Sequence, residues 1–243
     1  MAEISVGEKA PAFELPDQTG YPWNLSGQLE LGPAMLIFYR GDWCPYCNGQ
    51  LASIARGFEK FARRDAQVAA ISVDPPEHNL QMVNKLLLPF PLLSDPKGEL
   101  AKRYGLWNER EGVAVPAIVL IERTGEVAYV YAGKDFADRP TEEEVLATLR
   151  RLGKTRKHGM EGPEIRVNGA EARDSVRPDR SAMTLEQLIP YYQGVFFSSV
   201  ALGGRFGGWG RSGRHASREV SNYRATTSRY ADALRETQKL HES

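Results

Sequence analysis

The chain has 243 residues, and 31 Lys+Arg balance 31 Asp+Glu for a formal net charge of zero. That balance gives the whole chain no electrostatic preference for nucleic acid or acidic substrates, and the length suits one ordinary domain plus an appendage. The halves differ: residues 1–153 carry 16 basic and 21 acidic side chains, a net of −5, and residues 154–243 carry 15 and 10, a net of +5. The start, Met1-Ala2-Glu3-Ile4-Ser5, lacks the basic and apolar regions of a signal peptide, and no apolar run approaches the ~18 residues of a membrane span. The sequence is therefore expected to be cytoplasmic.

Taken in order, Val6–Leu15 reads as an extended lead-in and Asp17-Gln18-Thr19-Gly20 as a turn, followed by a short segment around Trp23-Asn24-Leu25. The apolar run Met35–Tyr39 predicts a buried strand, and Leu51, Ile54, Phe58 and Phe61 recur at helical spacing after it. Gln67–Val73 predicts a second buried strand, with Asp74 capping a helix whose first turn holds Pro75 and Pro76. A brief strand at Leu92–Asp95 and a short helix at Glu99–Tyr104 follow. Ala117–Ile121 and Val127–Tyr131 form a predicted hairpin across Arg123-Thr124-Gly125-Glu126, and Glu142–Leu152 is a helix capped by Thr141. Strand–helix units followed by a hairpin and a last helix imply an α/β fold, a mixed sheet with helices on both faces.

The two cysteines, Cys44 and Cys47, fall where the first buried strand gives way to a helix. Pro45 suits the first helical position, and the unpaired amides there favour an ionised thiol. Zinc needs at least one more Cys or His nearby, yet His78, His158, His215 and His241 are scattered, so no metal is expected. A structural disulfide would close too small a loop to stabilise much. A redox dithiol is the favoured reading, and nothing in the sequence calls for a cofactor.

Three stretches stand together in residues 4–152: Gly7–Asp17, Phe38-Tyr39-Arg40-Gly41-Asp42-Trp43-Cys44-Pro45-Tyr46-Cys47, and Val115-Pro116 before a strand. By these motifs residues 4–152 resemble the peroxiredoxin-like branch of the alkyl hydroperoxide reductase/thiol-specific antioxidant family, within the thioredoxin-like superfamily. The resemblance implies a thioredoxin-like, peroxiredoxin-type fold and a Cys44–Cys47 disulfide cycle. A peroxide or disulfide is the implied substrate, and a thioredoxin- or glutathione-type thiol the implied reductant. In the peroxiredoxin register Cys47 is the peroxidatic thiol, while Cys44 replaces the family's Thr, Arg40 its Pro, and Pro116 the Arg before the later strand. Cys-Pro-Tyr-Cys is also the tetrapeptide of dithiol glutaredoxins, and Ala114-Val115-Pro116 looks like their T-V-P. That resemblance implies Cys44 as the attacking thiol, Cys47 as the resolving one, and a cis Pro116 facing them. As the more exposed cap residue, Cys44 is favoured for disulfide substrates.

The remaining side chains of the motif have two readings each. Trp43 walls the site or covers core, and Arg40 lowers a thiol pKa or is solvated beyond the strand end. Asp42 relays a proton or, as the favoured reading, is a turn residue, while His78 reads as helix surface and Glu109-Arg110-Glu111 as a charged loop. Trp43, Pro45, Tyr46, Val115, Pro116 and Arg40 are the substrate-positioning candidates.

Beyond the family-like part, 1–153, residues 154–182 read as a linker or extended arm, with Gly153, Gly159, Gly162, Pro163, Gly169 and Pro178 in or beside it. Thr184-Leu185-Glu186-Gln187 has the form of a capping box and opens an apolar run that Pro190 is expected to kink or restart. Gly203–Arg214 reads as a flexible glycine–arginine loop, and Val220, Tyr223, Thr227, Tyr230 and Leu234 form a stripe that needs a covering surface. Residues 183–243 are thus expected to form a helical hairpin that packs on a second copy as a homo-oligomer. Nucleic acid and a membrane interface are the disfavoured partners. The function expected is a thiol–disulfide oxidoreductase or thiol-dependent peroxidase. The alternative is a redox-sensing assembly protein whose C-terminal extension is the working part.

Overall fold

The computed structural model describes residues 3–152, 163 and 165–243. Strands β1 (Phe13–Pro16) and β2 (Pro22–Asn24) pair antiparallel across the Asp17–Gly20 turn, where Asp17 Oδ1 accepts from the Thr19 and Tyr21 amides. Asn24 caps α1 (Leu25–Leu31) by accepting from the Gly27 amide at 3.0 Å. Next come β3 (Ala34–Phe38), α2 (Pro45–Arg56), α3 (Phe58–Ala62), β4 (Gln67–Ser72), α4 (Pro76–Leu86), β5 (Leu92–Ser94) and α5 (Glu99–Arg103). A small ladder of β6 (Trp107–Asn108) and β7 (Val113–Ala114) leads to β8 (Ala117–Ile121), β9 (Val127–Ala132) and α6 (Glu142–Arg151), whose Thr141–Glu144 capping box is complete. Asp74 does not cap α4. Pro75 holds the cap position, and the Asp74 carboxylate turns inward to accept from the Asp42 amide and the Ser72 hydroxyl.

The main sheet runs β5-β4-β3-β8-β9, with β3, β4 and β5 parallel and β8 and β9 antiparallel additions. Every residue of β3 is fully buried, because alternate side chains feed cores on opposite faces. Met35 and Ile37 point toward α2, α4 and α6. Ala34, Leu36 and Phe38 point toward α1, α5 and the β1–β2 pair. The central strand is thereby fixed from both sides, and the residues that leave its C-terminal end, from Tyr39 on, emerge at a defined place.

The described part of the 154–182 arm lies against the fold. Ile165–Arg166 (β10) pairs parallel with β1, and Glu171–Arg173 makes one 3₁₀ turn. Gly153, Gly159 and Gly162 lie outside the described residues. Two helices follow, α7 (Leu185–Gly207) and α8 (Gly210–Glu242). The expected glycine–arginine loop is mostly helix: Gly203–Gly207 continue α7, and only Gly208 and Trp209 lie between the helices. Pro190 lies six residues into α7 without restarting it.

The stripe assigned by sequence to a second copy is covered by this chain's own cysteine helix. Tyr192, Tyr230, Ala231 and Leu234 join the core containing Leu51, Ala52 and Ala55 of α2. The Tyr192 hydroxyl donates to the Pro45 carbonyl at 2.9 Å. The close approach depends on Gly49, where an added Cβ would stand 2.3 Å from the Tyr192 hydroxyl and 2.7 Å from the Tyr230 Cβ. Gly49→Val is therefore expected to destabilise the protein by about 1–3 kcal/mol through overpacking and to free the hairpin. Thermal unfolding and limited proteolysis within 185–243 check this; an unchanged melting temperature and cleavage pattern would show that the contact is not restrictive.

Candidate active site

The site is built where β3 ends and α2 begins. Gly41 takes φ +146°, and a Cβ there would lie 2.6 Å from Trp43 Nε1, so the turn needs glycine. Cys44 is the N-cap of α2 and Pro45 its first helical residue. Cys47 is therefore the third helical residue, and cap and third positions face each other, the adjacency a capping box exploits. The Asn48 amide group ties the turn to the helix by donating to the Asp42 and Cys44 carbonyls at 2.8 and 2.9 Å.

Both thiols are free and both sulfurs are shielded from solvent, each cysteine being 0% exposed. Cys44 is thus the cap residue but not an exposed one, the property for which the sequence favoured it as the attacking thiol toward disulfide substrates. Three donors surround the Cys47 sulfur. The Arg40 amide lies 3.4 Å away, Arg139 Nη2 lies 3.6 Å away, and the Cys44 thiol faces it. Arg139 is itself buried and aimed: its Nε donates to Gln50 Oε1 at 2.8 Å, and its Nη1 to the Asp138 carbonyl at 2.9 Å. Gln50 lies one turn after Cys47 on α2, so the same helix positions the thiol and the guanidinium. The Arg40 guanidinium reaches the Cys44 sulfur at 3.9 Å and pairs with Glu111.

These contacts separate the two thiols. Burial opposes ionisation of Cys47, but the hydrogen bond from Cys44, the Arg139 charge, the Arg40 amide and the Arg40 charge outweigh it and lower its pKa to about 6. Cys44 is pushed well above the ordinary thiol range, first by its hydrogen bond to Cys47 and then by burial. One thiolate, held by one thiol, is the resulting arrangement.

Aromatic rings close the site. The Arg40 and Arg180 guanidinia lie over the Trp43 ring at 4.7 and 4.2 Å. Tyr46 is ringed by Phe136, Tyr191, Tyr192 and Tyr223, and its hydroxyl meets that of Tyr223. Burial and the Tyr223 hydroxyl together push the Tyr46 pKa upward, so Tyr46 is a neutral phenol.

Beside the cysteines, Asp42, read from sequence as a turn residue, binds His78 Nδ1 at 2.8 Å and Arg177 Nη2 at 2.5 Å. Arg177 Nε also reaches Asp74 Oδ1 at 3.2 Å. Burial, then the Asp42 charge, raises Asp74 to about 7 against the pull of Arg177. This cluster pins the arm, and with it Arg180, to the rim of the site.

Among the sequence candidates, Arg40, Trp43, Cys44, Pro45, Tyr46 and Cys47 converge. Val115 and Pro116 make backbone contacts: the Val115 amide donates to Leu106 O, and the Pro116 carbonyl accepts from Gly133, both at 2.8 Å. The Val115–Pro116 bond is trans, not the cis form implied by the thioredoxin and glutaredoxin likeness. Sequence reasoning missed Arg139, Gln50, Arg177 and Arg180. Nothing local marks them, since Arg139 lies 92 residues from Cys47 and acts only through the fold.

Comparison with known proteins places the chain in a family. The sequence model of the AhpC/TSA family matches residues 6–130. Chloroplastic peroxiredoxin Q of Sedum lineare is 31% identical over 153 residues, covering 62% of this chain and 81% of that protein. Alkyl hydroperoxide reductase E of Mycobacterium tuberculosis is 30% identical over 128 residues, covering 52% and 84%. The crystal structure of peroxidoxin BcpB from Mycobacterium tuberculosis superposes with a TM-score of 0.57 at 29% identity, over 63% of this chain and all of that one. With the family model matching more than half of the chain and these relatives sharing its sequence and fold, the chain belongs to the AhpC/TSA family, and it is a thiol-dependent peroxidase or oxidoreductase of the peroxiredoxin type.

Proposed function

We propose that the chain reduces peroxides with Cys47 as the attacking thiolate and Cys44 as the resolving thiol. The observation that carries this reading is the set of donors converging on the Cys47 sulfur while Cys44 stays protonated.

The steps follow from these positions. The Cys47 thiolate attacks the distal oxygen of the peroxide, the O–O bond breaks, and the leaving oxygen takes a proton as an alcohol or water. Cys47 becomes a sulfenic acid. Arg139 and the Arg40 amide, already on the Cys47 sulfur, and the Arg40 guanidinium beside the neighbouring Cys44 sulfur supply donors for charge that moves onto the oxygens. They take over the task of the family Thr that Cys44 replaces. Cys44 then attacks the sulfenic sulfur, losing its proton while water leaves, and a Cys44–Cys47 disulfide forms. Because cap and third helical residue are already adjacent, closure needs no unwinding of α2. Two electrons from a thioredoxin- or glutathione-type thiol restore the dithiol.

Stopped-flow oxidation by hydrogen peroxide and by a lipid hydroperoxide, followed by mass spectrometry, tests the scheme. The wild type should lose two hydrogens per chain, Cys47→Ser should not react, and Cys44→Ser should stop at the sulfenic acid after one turnover. Fast oxidation of Cys47→Ser with inert Cys44→Ser would reverse the roles.

The rate should also titrate. Below the Cys47 pKa of about 6 the thiol is protonated and the rate falls; above it the rate is flat, where an ordinary thiol would keep gaining up to about pH 8.5. Arg139→Ala should move that midpoint upward and slow oxidation at neutral pH by about 10²-fold, as for loss of one preorganised donor. An unmoved midpoint in Arg139→Ala would remove the guanidinium from the mechanism.

A further inference from the structure

The α7–α8 hairpin has two unlike halves. Its root is bound to α2. Along α7, the last side chain packed in the main core among the described residues is Tyr192. The stretch beyond, 193–207, runs on for about 22 Å at the helical rise, and its companion is α8, with Ser217 Oγ donating to the Gly203 carbonyl at 3.2 Å.

This distal half is not built like a solvated surface. Phe197 is 70% exposed and Trp209 67%, and Phe196, Val200 and Leu202 are also exposed. Such a concentration of apolar side chains in one place marks a contact surface. The same half carries Arg205, Arg211, Arg214 and Arg218, all exposed, and residues 188–218 contain no Asp, Glu or Lys. Arg211, Arg214 and Arg218 follow helical spacing and share one side of α8. The chain as a whole is neutral, so this charge is segregated.

We propose that the distal half of the hairpin docks on an anionic membrane surface, its aromatic and aliphatic side chains entering the headgroup boundary and its arginines meeting lipid phosphates. The arrangement matches an interfacial element, with aromatic residues and aliphatics beside arginine. No helix among the described residues is long and apolar enough to cross a membrane, which leaves lying on the surface as the mode of contact. Charge complementarity selects this occupant over the others. In a symmetric contact between two copies the four arginines of each tip would face those of the other, with the exposed Glu219 beside Arg218 the one neighbouring carboxylate to offset them. On nucleic acid the arginines would find phosphates, but the exposed Val200, one turn after Phe196 and Phe197 on the same side of α7, would stay uncovered.

The test uses the full chain, flotation with vesicles of phosphatidylglycerol and phosphatidylcholine, and phosphatidylcholine vesicles as comparison. Binding is expected to the anionic vesicles only, weakened by salt. Arg211→Glu/Arg214→Glu should lower the affinity by more than about 25-fold, at roughly fivefold for each arginine lost. Phe197→Ser/Trp209→Ser should reduce binding while leaving circular dichroism and peroxide-driven oxidation of Cys47 unchanged, because these residues lie outside the redox site. Quenching of Trp209 fluorescence by brominated lipid, read against Trp209→Phe, would place the tip in the bilayer boundary. Three results would each overturn the proposal: no preference for anionic vesicles, equal binding of a single-stranded oligonucleotide, or a dimer in sedimentation that Phe197→Ser/Trp209→Ser dissolves.

Discussion

A negative charge on a sulfur without access to solvent is tolerable only when the protein replaces the water it has lost. The structure around Cys47 is arranged to meet that demand. The end of a fully buried strand supplies a fixed backbone amide at Arg40, and the first turn of α2 supplies the Cys44 thiol. A residue far along the chain supplies the Arg139 guanidinium, held by Gln50 from the cysteine helix itself. Each donor comes from a different element, so the thiolate depends on the packing of the sheet, on α2 and on the segment after β9 together. The glycines at 41 and 49 serve the same end, one letting Trp43 lie against the turn and the other letting the tyrosines of the hairpin reach the back of the helix.

Much of this was legible in the sequence, and the reason is locality. The β3 strand, the helix that follows and the paired cysteines are written in a contiguous run, where hydrophobic periodicity and the proline after Cys44 suffice to place both thiols at a helix start. The Thr141 and Thr184 capping boxes are likewise short-range signals, and both form. What escaped is what depends on chain reversal. Arg139 sits in a loop with no periodic pattern, and its pairing with Gln50 exists only once the segment after β9 has come back to α2. Asp74 shows the opposite error: next to two prolines it satisfies the local rule for a cap, but the buried Asp42 amide and Arg177 offer it stronger partners. The glycine–arginine segment misled for a related reason. Glycine lowers helix propensity, yet packing of α7 against α8 holds Gly203–Gly207 in helical form.

The C-terminal ninety residues change the character of the redox domain without supplying its chemistry. Arg177 and Arg180 bring the arm to the rim of the site, Tyr191 and Tyr223 surround Tyr46, and Tyr192 binds the carbonyl of Pro45. The cysteine turn is thus enclosed by segments that follow the family-matched region 6–130. The hairpin root and the cysteine helix form one packed unit.

The cage around Cys47 also sets the direction in which electrons move. Every group that stabilises the thiolate, the two arginines, the amide and the facing thiol, favours the dithiol form, and none has a charge to hold once both sulfurs are joined. Losing those contacts on oxidation shifts the potential of the pair in the oxidising direction relative to the same pair without them, as for other dithiols whose reduced form is favoured. In the scheme proposed for Cys47, contacts that favour its attack on a peroxide also favour return of electrons from an incoming thiol to the disulfide, so that one set of side chains would serve both halves of the cycle.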